Sequence, residues 1–279
     1  MPKTASLVFF YFGESSYMNR LAQETVPLYK ALKGYDRQIL LRHETDFGPF
    51  ELSEAAEQEA DVVDLPTKKN LAKYLNQLGD EGYIVDLFIF SHGLKDRFRV
   101  SRGTYGKNET VTQQYLASHI RPLKLRMVWQ CNCYGSTLND LWLSLGAKAC
   151  AGSRYVNFYP TRFKSFINAW NDGEPIGEAL AGAEKKLART PVHLYLIGDA
   201  MARRKEWKGA FFGGLGVLGK TKAARKYFTE CWLGDKWSSR RSGKGNVNYS
   251  SGMVLGGSAG VTKNNEDLSA PEGKIVLKW

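Results

Sequence analysis

The sequence predicts an α/β protein in which helices cover both faces of a mainly parallel sheet. Short apolar runs alternate with segments of helical periodicity over the first 200 residues, as in βαβ units. Two of these runs, residues 85–91 and 125–130, are rich in β-branched and aromatic residues, and each contains a single charged side chain. This composition is typical of strands that are buried on both faces. A length of 279 residues is enough for a large core.

Four elements are predicted before residue 85. Residues 6–12 form an apolar run of strand length, and residues 37–42, with an apolar centre at 39–41, are predicted to form a second strand. Residues 19–32 show helical periodicity with a proline inside. A second helix is predicted to begin after Thr67, whose hydroxyl is expected to cap its first turn. The apolar residues of this helix recur at i, i+3, i+4 and i+7, and they are Leu71, Tyr74, Leu75 and Leu78.

The segments after residue 91 continue the alternation. Residues 95–114 are charged and glycine-containing, which indicates a hairpin-like insertion. Gly146 follows the helical segment 137–145 and is expected to end it. The remaining predicted elements are strands at 148–152 and 193–197 and helices at 161–170 and 176–188.

A change of composition divides the chain into two predicted parts. Residues 1–206 carry the alternating elements and are expected to form one domain. Residues 207–279 hold glycine clusters and no long helical period, and they are expected to form a small basic annex or tail. From residue 201 onward there are 15 Lys and Arg against 6 Asp and Glu, whereas the whole chain has a net charge of +11. Most of the positive charge therefore belongs to the C-terminal part.

Composition also limits the location and the ligands of the protein. No apolar run reaches the roughly 20 residues that span a bilayer, and the first apolar run is too short for a secretory signal. The four cysteines do not form a disulfide framework, so a cytoplasmic protein with free thiols is expected. The histidines outside the strand ends have no Cys or acidic neighbours at metal-ligand spacing, and we predict no metal and no cofactor.

The C-terminal part contains two further patterns. Residues 214–221 satisfy the phosphate-binding-loop pattern, but no apolar strand ending in the Asp that would hold magnesium follows them. Basic residues of the tail alternate with Trp and Tyr, which is a feature of nucleic-acid contacts, although a solvated basic surface is the expected outcome. We therefore predict no nucleotide binding, and contact of the basic tail with nucleic acid is the less favoured alternative.

The two charge-poor runs each end on a reactive side chain. The first run is followed by His92 and Gly93, and the second is followed by Cys131, Asn132 and Cys133. If the two strands are parallel neighbours, their carboxyl ends place an imidazole and a thiol at one edge of the sheet, where open α/β sheets bind ligands. A thiol and an adjacent imidazole are the smallest set of side-chain groups that covalent acyl transfer requires.

Two segments carry a resemblance to a known family. The segment Asp-Leu-Phe-Ile-Phe-Ser-His-Gly at 86–93 and the segment Met-Val-Trp-Gln-Cys-Asn-Cys-Tyr-Gly-Ser at 127–136 each join an apolar strand to a reactive residue. The chain resembles the caspase-like cysteine peptidases, the group of caspases, metacaspases, clostripain and gingipains. Supporting similarity lies at 64–71, 145–153 and 196–200, so that the resemblance covers roughly residues 5–202.

The resemblance implies a caspase-like three-layer sandwich and a cysteine endopeptidase that hydrolyses protein or peptide substrates through a Cys133 thioester. It implies that His92 is the acid–base partner, and that the backbone N–H groups of Gly93 and Cys133 form the oxyanion hole. Cys131 is the rival nucleophile, because Gln130-Cys131 is similar to the caspase Gln-Ala-Cys. Cys133 is preferred because Cys-Tyr-Gly-Ser matches the family's turn, while Cys131 is expected to lie within the strand.

The sequence departs from the family where substrate specificity is set. Members that cleave after Arg or Lys often carry an Asp two positions before the nucleophile, and this position is Cys131 here. Asp86 is expected at the far end of the His92 strand, so the preferred residue before the scissile bond stays open. A second hypothesis is a catalytically silent caspase-like module whose crevice binds a partner, with the basic tail as an interaction arm.

Overall fold

The structure is a computed structural model that describes residues 2–11, 32–43, 60–104, 107–154, 161–188 and 253–264. Ten strands and five α-helices lie within these ranges. The strands are β1 (Thr4–Tyr11), β2 (Arg37–Leu41), β3 (Val62–Asp64), β4 (Ile84–Ser91), β5 (Gly93–Leu94), β6 (Arg97–Ser101), β7 (Asn108–Thr112), β8 (Leu125–Cys131), β9 (Ala149–Ser153) and β10 (Met253–Gly257). The helices are α1 (Lys68–Asp80), α2 (Gln113–His119), α3 (Asn139–Ser144), α4 (Thr161–Asn171) and α5 (Ile176–Ala188).

Seven strands form the central sheet, in the order β10-β9-β8-β4-β1-β2-β3. Every pairing in this sheet is parallel except that of β10 with β9. Strands β5, β6 and β7 form a separate antiparallel sheet, which confirms the predicted hairpin insertion. The protein is therefore a mixed α/β protein with a mainly parallel seven-stranded sheet, as the sequence predicts.

The two faces of the central sheet carry separate cores. On one face α4 and α5 bury Phe163, Phe166, Trp170 and Leu180 against aromatic residues of the strands. On the other face α1, α2 and α3 pack together with the small sheet. Strand residues alternate between the two cores, so the strands are buried on both sides. The prediction of helices on both faces is confirmed.

Local sequence patterns account for most of these elements. Thr67 caps α1, because its hydroxyl accepts a hydrogen bond from the Asn70 N–H at 3.1 Å. The four apolar residues predicted for this helix are all buried. Gly146 follows α3 with a φ of +105°, a backbone conformation that favours glycine. The predicted strand 193–197 and nearly all of the predicted helix 19–32 lie outside the described residues.

The C-terminal segment contributes a strand that sequence analysis missed. Strand β10 pairs antiparallel with β9, and Met253 and Leu255 are buried in one of the two cores. The Asn139 side chain donates a hydrogen bond to the Val254 carbonyl at 3.0 Å and so joins β10 to α3. Residues 253–257 are thus part of the central sheet, and Val261 belongs to the same core, whereas residues 207–252 lie outside the described ranges. The division at residue 206 stays a prediction.

A buried ion pair joins β4 to β8 near their amino ends. The carboxylate of Asp86 accepts two hydrogen bonds from Arg126, at 2.9 and 2.7 Å, and both side chains are buried. Tyr35 and Trp170 also donate to Asp86, at 2.6 and 3.2 Å. Arg126 additionally donates to the Lys263 carbonyl, so the cluster holds the C-terminal segment as well.

We expect Asp86→Asn to destabilise the fold strongly. The substitution leaves the Arg126 charge buried without a counter-charge, which costs about 3–5 kcal/mol in comparable pairs. Urea denaturation of the purified protein measures this loss. The control is Asp80→Asn, since Asp80 pairs with Arg121 at 2.6 Å on the surface, where a pair contributes about 1 kcal/mol or less. Equal effects of the two substitutions would contradict the prediction.

None of the helices in the described ranges is long and apolar enough to cross a membrane. The cytoplasmic location stays a prediction.

Candidate active site

The carboxyl ends of β4 and β8 lie side by side. The two strands are parallel neighbours, and Phe90 pairs with Cys131 in their register. Strand β4 ends at Ser91 and β8 ends at Cys131, so His92 and Cys133 follow at the same edge of the sheet. The side chains of both residues are half-buried. The juxtaposition predicted from the two charge-poor runs is thus present at the level of the backbone.

The small sheet fixes the backbone of His92. The Arg99 N–H of β6 donates to the His92 carbonyl at 2.8 Å, and the Ser91 hydroxyl donates to the Arg99 carbonyl at 2.6 Å. The chain therefore passes from the central sheet directly into β5 and β6 at this point. Because His92 and the preceding Ser91 are both hydrogen-bonded to Arg99 of β6, the position of the His92 backbone is set by both sheets.

Gly93 lies against the backbone of Cys133. A Cβ atom on Gly93 would lie 2.0 Å from the Cys133 carbonyl oxygen and 2.8 Å from the Cys133 nitrogen. Such separations are far inside van der Waals contact, so only glycine fits at this position while the backbone stays in place. The turn after His92 and the turn at Cys133 are therefore in direct contact.

The register of the small sheet orients the N–H of Gly93. His92 and Arg99 are joined by a ladder hydrogen bond, and Gly93 is paired with Phe98 at the next position. In an antiparallel ladder hydrogen-bonded pairs alternate with non-hydrogen-bonded ones, so the Gly93–Phe98 pair is of the second kind. The Gly93 N–H consequently points away from β6.

The two cysteines of the Cys-Asn-Cys segment occupy different environments. Cys131 is the last residue of β8, is 8% exposed and belongs to the core beneath α4 and α5. Cys133 lies beyond the strand, in the turn, and is half-buried. The expectation that Cys131 lies within the strand is confirmed. The more accessible thiol of the two is that of Cys133.

The turn after Cys133 is tight. Tyr134 has a φ of +57°, in the left-handed region that few non-glycine residues adopt. The Thr137 hydroxyl donates to the Tyr134 carbonyl at 2.9 Å, and the Gly135 N–H donates to the Asn132 carbonyl at 3.2 Å. Gly152 of β9 packs directly on this turn, because a Cβ there would lie 2.4 Å from backbone atoms of residues 135 and 136.

One contact joins the hairpin insertion to this turn. The Asp96 N–H, in the bend between β5 and β6, donates to the Thr137 hydroxyl at 2.8 Å. Thr137 therefore connects the segment after His92 to the segment after Cys133. Sequence analysis missed both residues, since neither lies in a recognisable motif.

The remaining described cysteine and histidines have other roles. Burial raises the pKa of the Cys150 thiol, and this residue is fully enclosed in the core, so it is unsuited to act as a nucleophile. His43 is buried and shares a hydrogen bond of 2.5 Å with Ser101. His119 is stacked on Tyr115 at the end of α2. Cys231 and His193 lie outside the described residues.

No protein-family profile and no curated protein matches this chain. Among solved structures, the chain is similar to a secreted C11 cysteine protease from Bacteroides thetaiotaomicron, called iotapain. The sequence identity is 12% and the TM-score is 0.42. The match covers 68% of this chain and 64% of that protease, so it extends over less than two thirds of the protease's length.

Proposed function

We propose that this protein is a cysteine endopeptidase of the caspase-like group, with Cys133 as nucleophile and His92 as acid–base partner. The observation that carries the proposal is the contact of Gly93 with the backbone of Cys133. This contact brings an imidazole-bearing turn and a thiol-bearing turn together at the carboxyl edge of a mainly parallel sheet. Ligand crevices of open α/β sheets lie at this edge.

The first step is attack on the substrate carbonyl. His92 takes the proton of the Cys133 thiol, and the thiolate forms an Sγ–C bond while the carbonyl π electrons move to oxygen. The tetrahedral intermediate then collapses as the C–N bond breaks, and His92 gives its proton to the leaving amine. A thioester of Cys133 remains, and water that is deprotonated by His92 hydrolyses it.

The negative oxygen of the intermediate requires hydrogen-bond donors. The Gly93 N–H points away from β6, and the Cys133 nitrogen lies on the neighbouring turn. These two backbone N–H groups are the proposed oxyanion hole. The absence of a side chain on Gly93 supports this role, because it lets the two turns approach each other.

Labelling with a peptide-based electrophile tests the proposal. We expect one molecule of a peptidyl acyloxymethyl ketone to label each protein molecule, on Cys133. We also expect the protein to cleave members of a peptide library. The residue preferred before the scissile bond would emerge from the same library. A protein that is folded but neither labelled nor active would instead be the silent binding module.

We expect Gly93→Ala to reduce kcat/KM by at least about 100-fold, the usual loss when an oxyanion donor is displaced. The added methyl group would overlap the Cys133 carbonyl, so the two turns must separate. Kinetics with the best library peptide measure the effect. The control is Gly182→Ala in α5, where a Cβ would meet no atom within 4 Å. Unchanged activity of Gly93→Ala would show that the contact does not serve catalysis.

A further inference from the structure

Asn132 stands out among the buried polar residues of the described ranges. Its side chain is 1% exposed, and neither its Oδ1 nor its Nδ2 has a hydrogen-bond partner among the described residues. Folded proteins satisfy the great majority of their buried polar groups, so a carboxamide that is unsatisfied at both ends requires an explanation.

Two glycines make the slot that holds this carboxamide. Its Nδ2 lies 2.8 Å from the position that a Cβ on Gly93 would occupy, and its Oδ1 lies 2.9 Å from the corresponding position on Gly135. The carboxamide therefore lies between the turn after His92 and the turn after Cys133. Its nitrogen end faces the Gly93 side of this slot.

A nearby asparagine shows how the same side chain is satisfied when it serves structure. Asn139 is also buried, but its Oδ1 accepts from the Gln130 side chain at 2.9 Å and its Nδ2 donates to the Val254 carbonyl at 3.0 Å. Asn139 thus joins β8, α3 and β10. The side chain of Asn132 makes no such connection within the described residues, and its burial gives the fold no side-chain hydrogen bond.

The Nδ2 of Asn132 lies close to the backbone nitrogens of Gly93 and Cys133. The Cys133 nitrogen and the Asn132 Nδ2 are both 2.8 Å from the same point, the unoccupied Cβ position of Gly93. The Gly93 nitrogen is also close to this point, because the nitrogen and the hypothetical Cβ are both attached to the Gly93 α-carbon. Three nitrogens that bear hydrogen therefore border one small region between the two turns, beside the Cys133 carbonyl oxygen, which lies 2.0 Å from the same point.

We propose that Asn132 is a catalytic residue, whose Nδ2 donates a third hydrogen bond to the oxyanion of the tetrahedral intermediate. This inference rests on the proposed peptidase function. The carbonyl oxygen that becomes negative when the Sγ–C bond forms is the missing acceptor of the Asn132 Nδ2 donor. A donor that is left unpaired in the resting protein and paired in the transition state stabilises the transition state selectively.

The test compares two reactions of Cys133 in the full-length protein. Peptide aldehydes form a hemithioacetal that carries the oxyanion, whereas iodoacetamide alkylates the thiolate by displacement of iodide and creates no oxyanion. Asn132→Leu keeps a similar side-chain volume but has no donor. We expect it to lower the affinity for the best of a panel of N-acetyl-tripeptide aldehydes about 100- to 1,000-fold. The alkylation rate of Cys133, followed by peptide mapping, should stay within about twofold, because the thiol and His92 are untouched.

The stability of the variants separates a catalytic role from a structural one. Asn132→Leu and Asn132→Ala should keep the melting temperature of the wild type or raise it, since the lost carboxamide makes no hydrogen bond. The control Asn139→Ala should lower the melting temperature and leave the ratio of aldehyde affinity to alkylation rate unchanged.

Three results would overturn the inference. These are unchanged aldehyde affinity in Asn132→Leu, a parallel loss of aldehyde affinity and alkylation rate, and failure of both Asn132 variants to fold. A wild-type protein that binds no aldehyde and cleaves no peptide, while Cys133 is alkylated no faster than a free thiol, would instead refute the peptidase function itself.

Discussion

Replacing Cys133 with alanine should abolish peptide hydrolysis and leave the fold intact. The substitution removes the atom that forms the thioester, and losses of about 10⁴-fold or more in kcat are usual when a nucleophile is deleted. Cys133 is half-buried in a turn, so we expect the free energy of unfolding to change by about 1 kcal/mol or less. Hydrolysis of the best library peptide and urea denaturation measure the two effects.

Cys131→Ala is the matched control for this experiment. Cys131 ends β8 and packs in the core, and it is separated from Cys133 by one residue. The variant should retain most of the activity and should still be labelled by the peptidyl electrophile. The assignment would be reversed if Cys131→Ala were inactive while Cys133→Ala still hydrolysed peptides.

His92→Ala should reduce kcat/KM by about 10²- to 10⁴-fold, the usual contribution of a general acid–base. The variant can neither activate the thiol nor donate a proton to the leaving amine. We also expect one limb of the pH profile of kcat/KM to disappear, because that limb reports the protonation of the imidazole. Steady-state kinetics between about pH 5 and 9 measure both changes.

His119→Ala is the appropriate control, because His119 lies at the end of α2, stacked on Tyr115 and away from both strand ends. Its substitution should leave the rate and the pH profile unchanged. If His92→Ala retained the wild-type rate and profile, His92 would have a structural role and another base would serve the thiol.

Local patterns in the sequence were sufficient for the elements that position the site. The charge-poor runs predicted the strands that end at Ser91 and Cys131, and the 3.6-residue periodicity predicted the buried face of α1. Helix α5 spans the residues that periodicity indicated. The helices are predictable because their apolar residues recur with the helical period, and the strands because a short continuous apolar run is typical of a strand that is buried on both faces.

The last strand of the sheet depended on tertiary structure. Residues 253–257 contain two glycines and lie in a glycine-rich, basic part of the chain, so their composition does not indicate a strand. They form β10 because they pair with β9, and Met253 contacts Ser153 across 100 residues of sequence. The backbone hydrogen bonds of a partner strand and a core that buries Leu255 decide this conformation.

The sequence by itself determined that a histidine and a cysteine would follow neighbouring core strands. Only the tertiary structure decided that Gly93 would touch the backbone of Cys133, and that Asn132 would be buried between Gly93 and Gly135. In the sequence, Asn132 has only the character of a polar turn residue between two cysteines. The difference is physical, since the two strands follow from short apolar runs that are local in the sequence. The approach of two turns depends on how whole strands pack, and packing involves residues far apart in the chain.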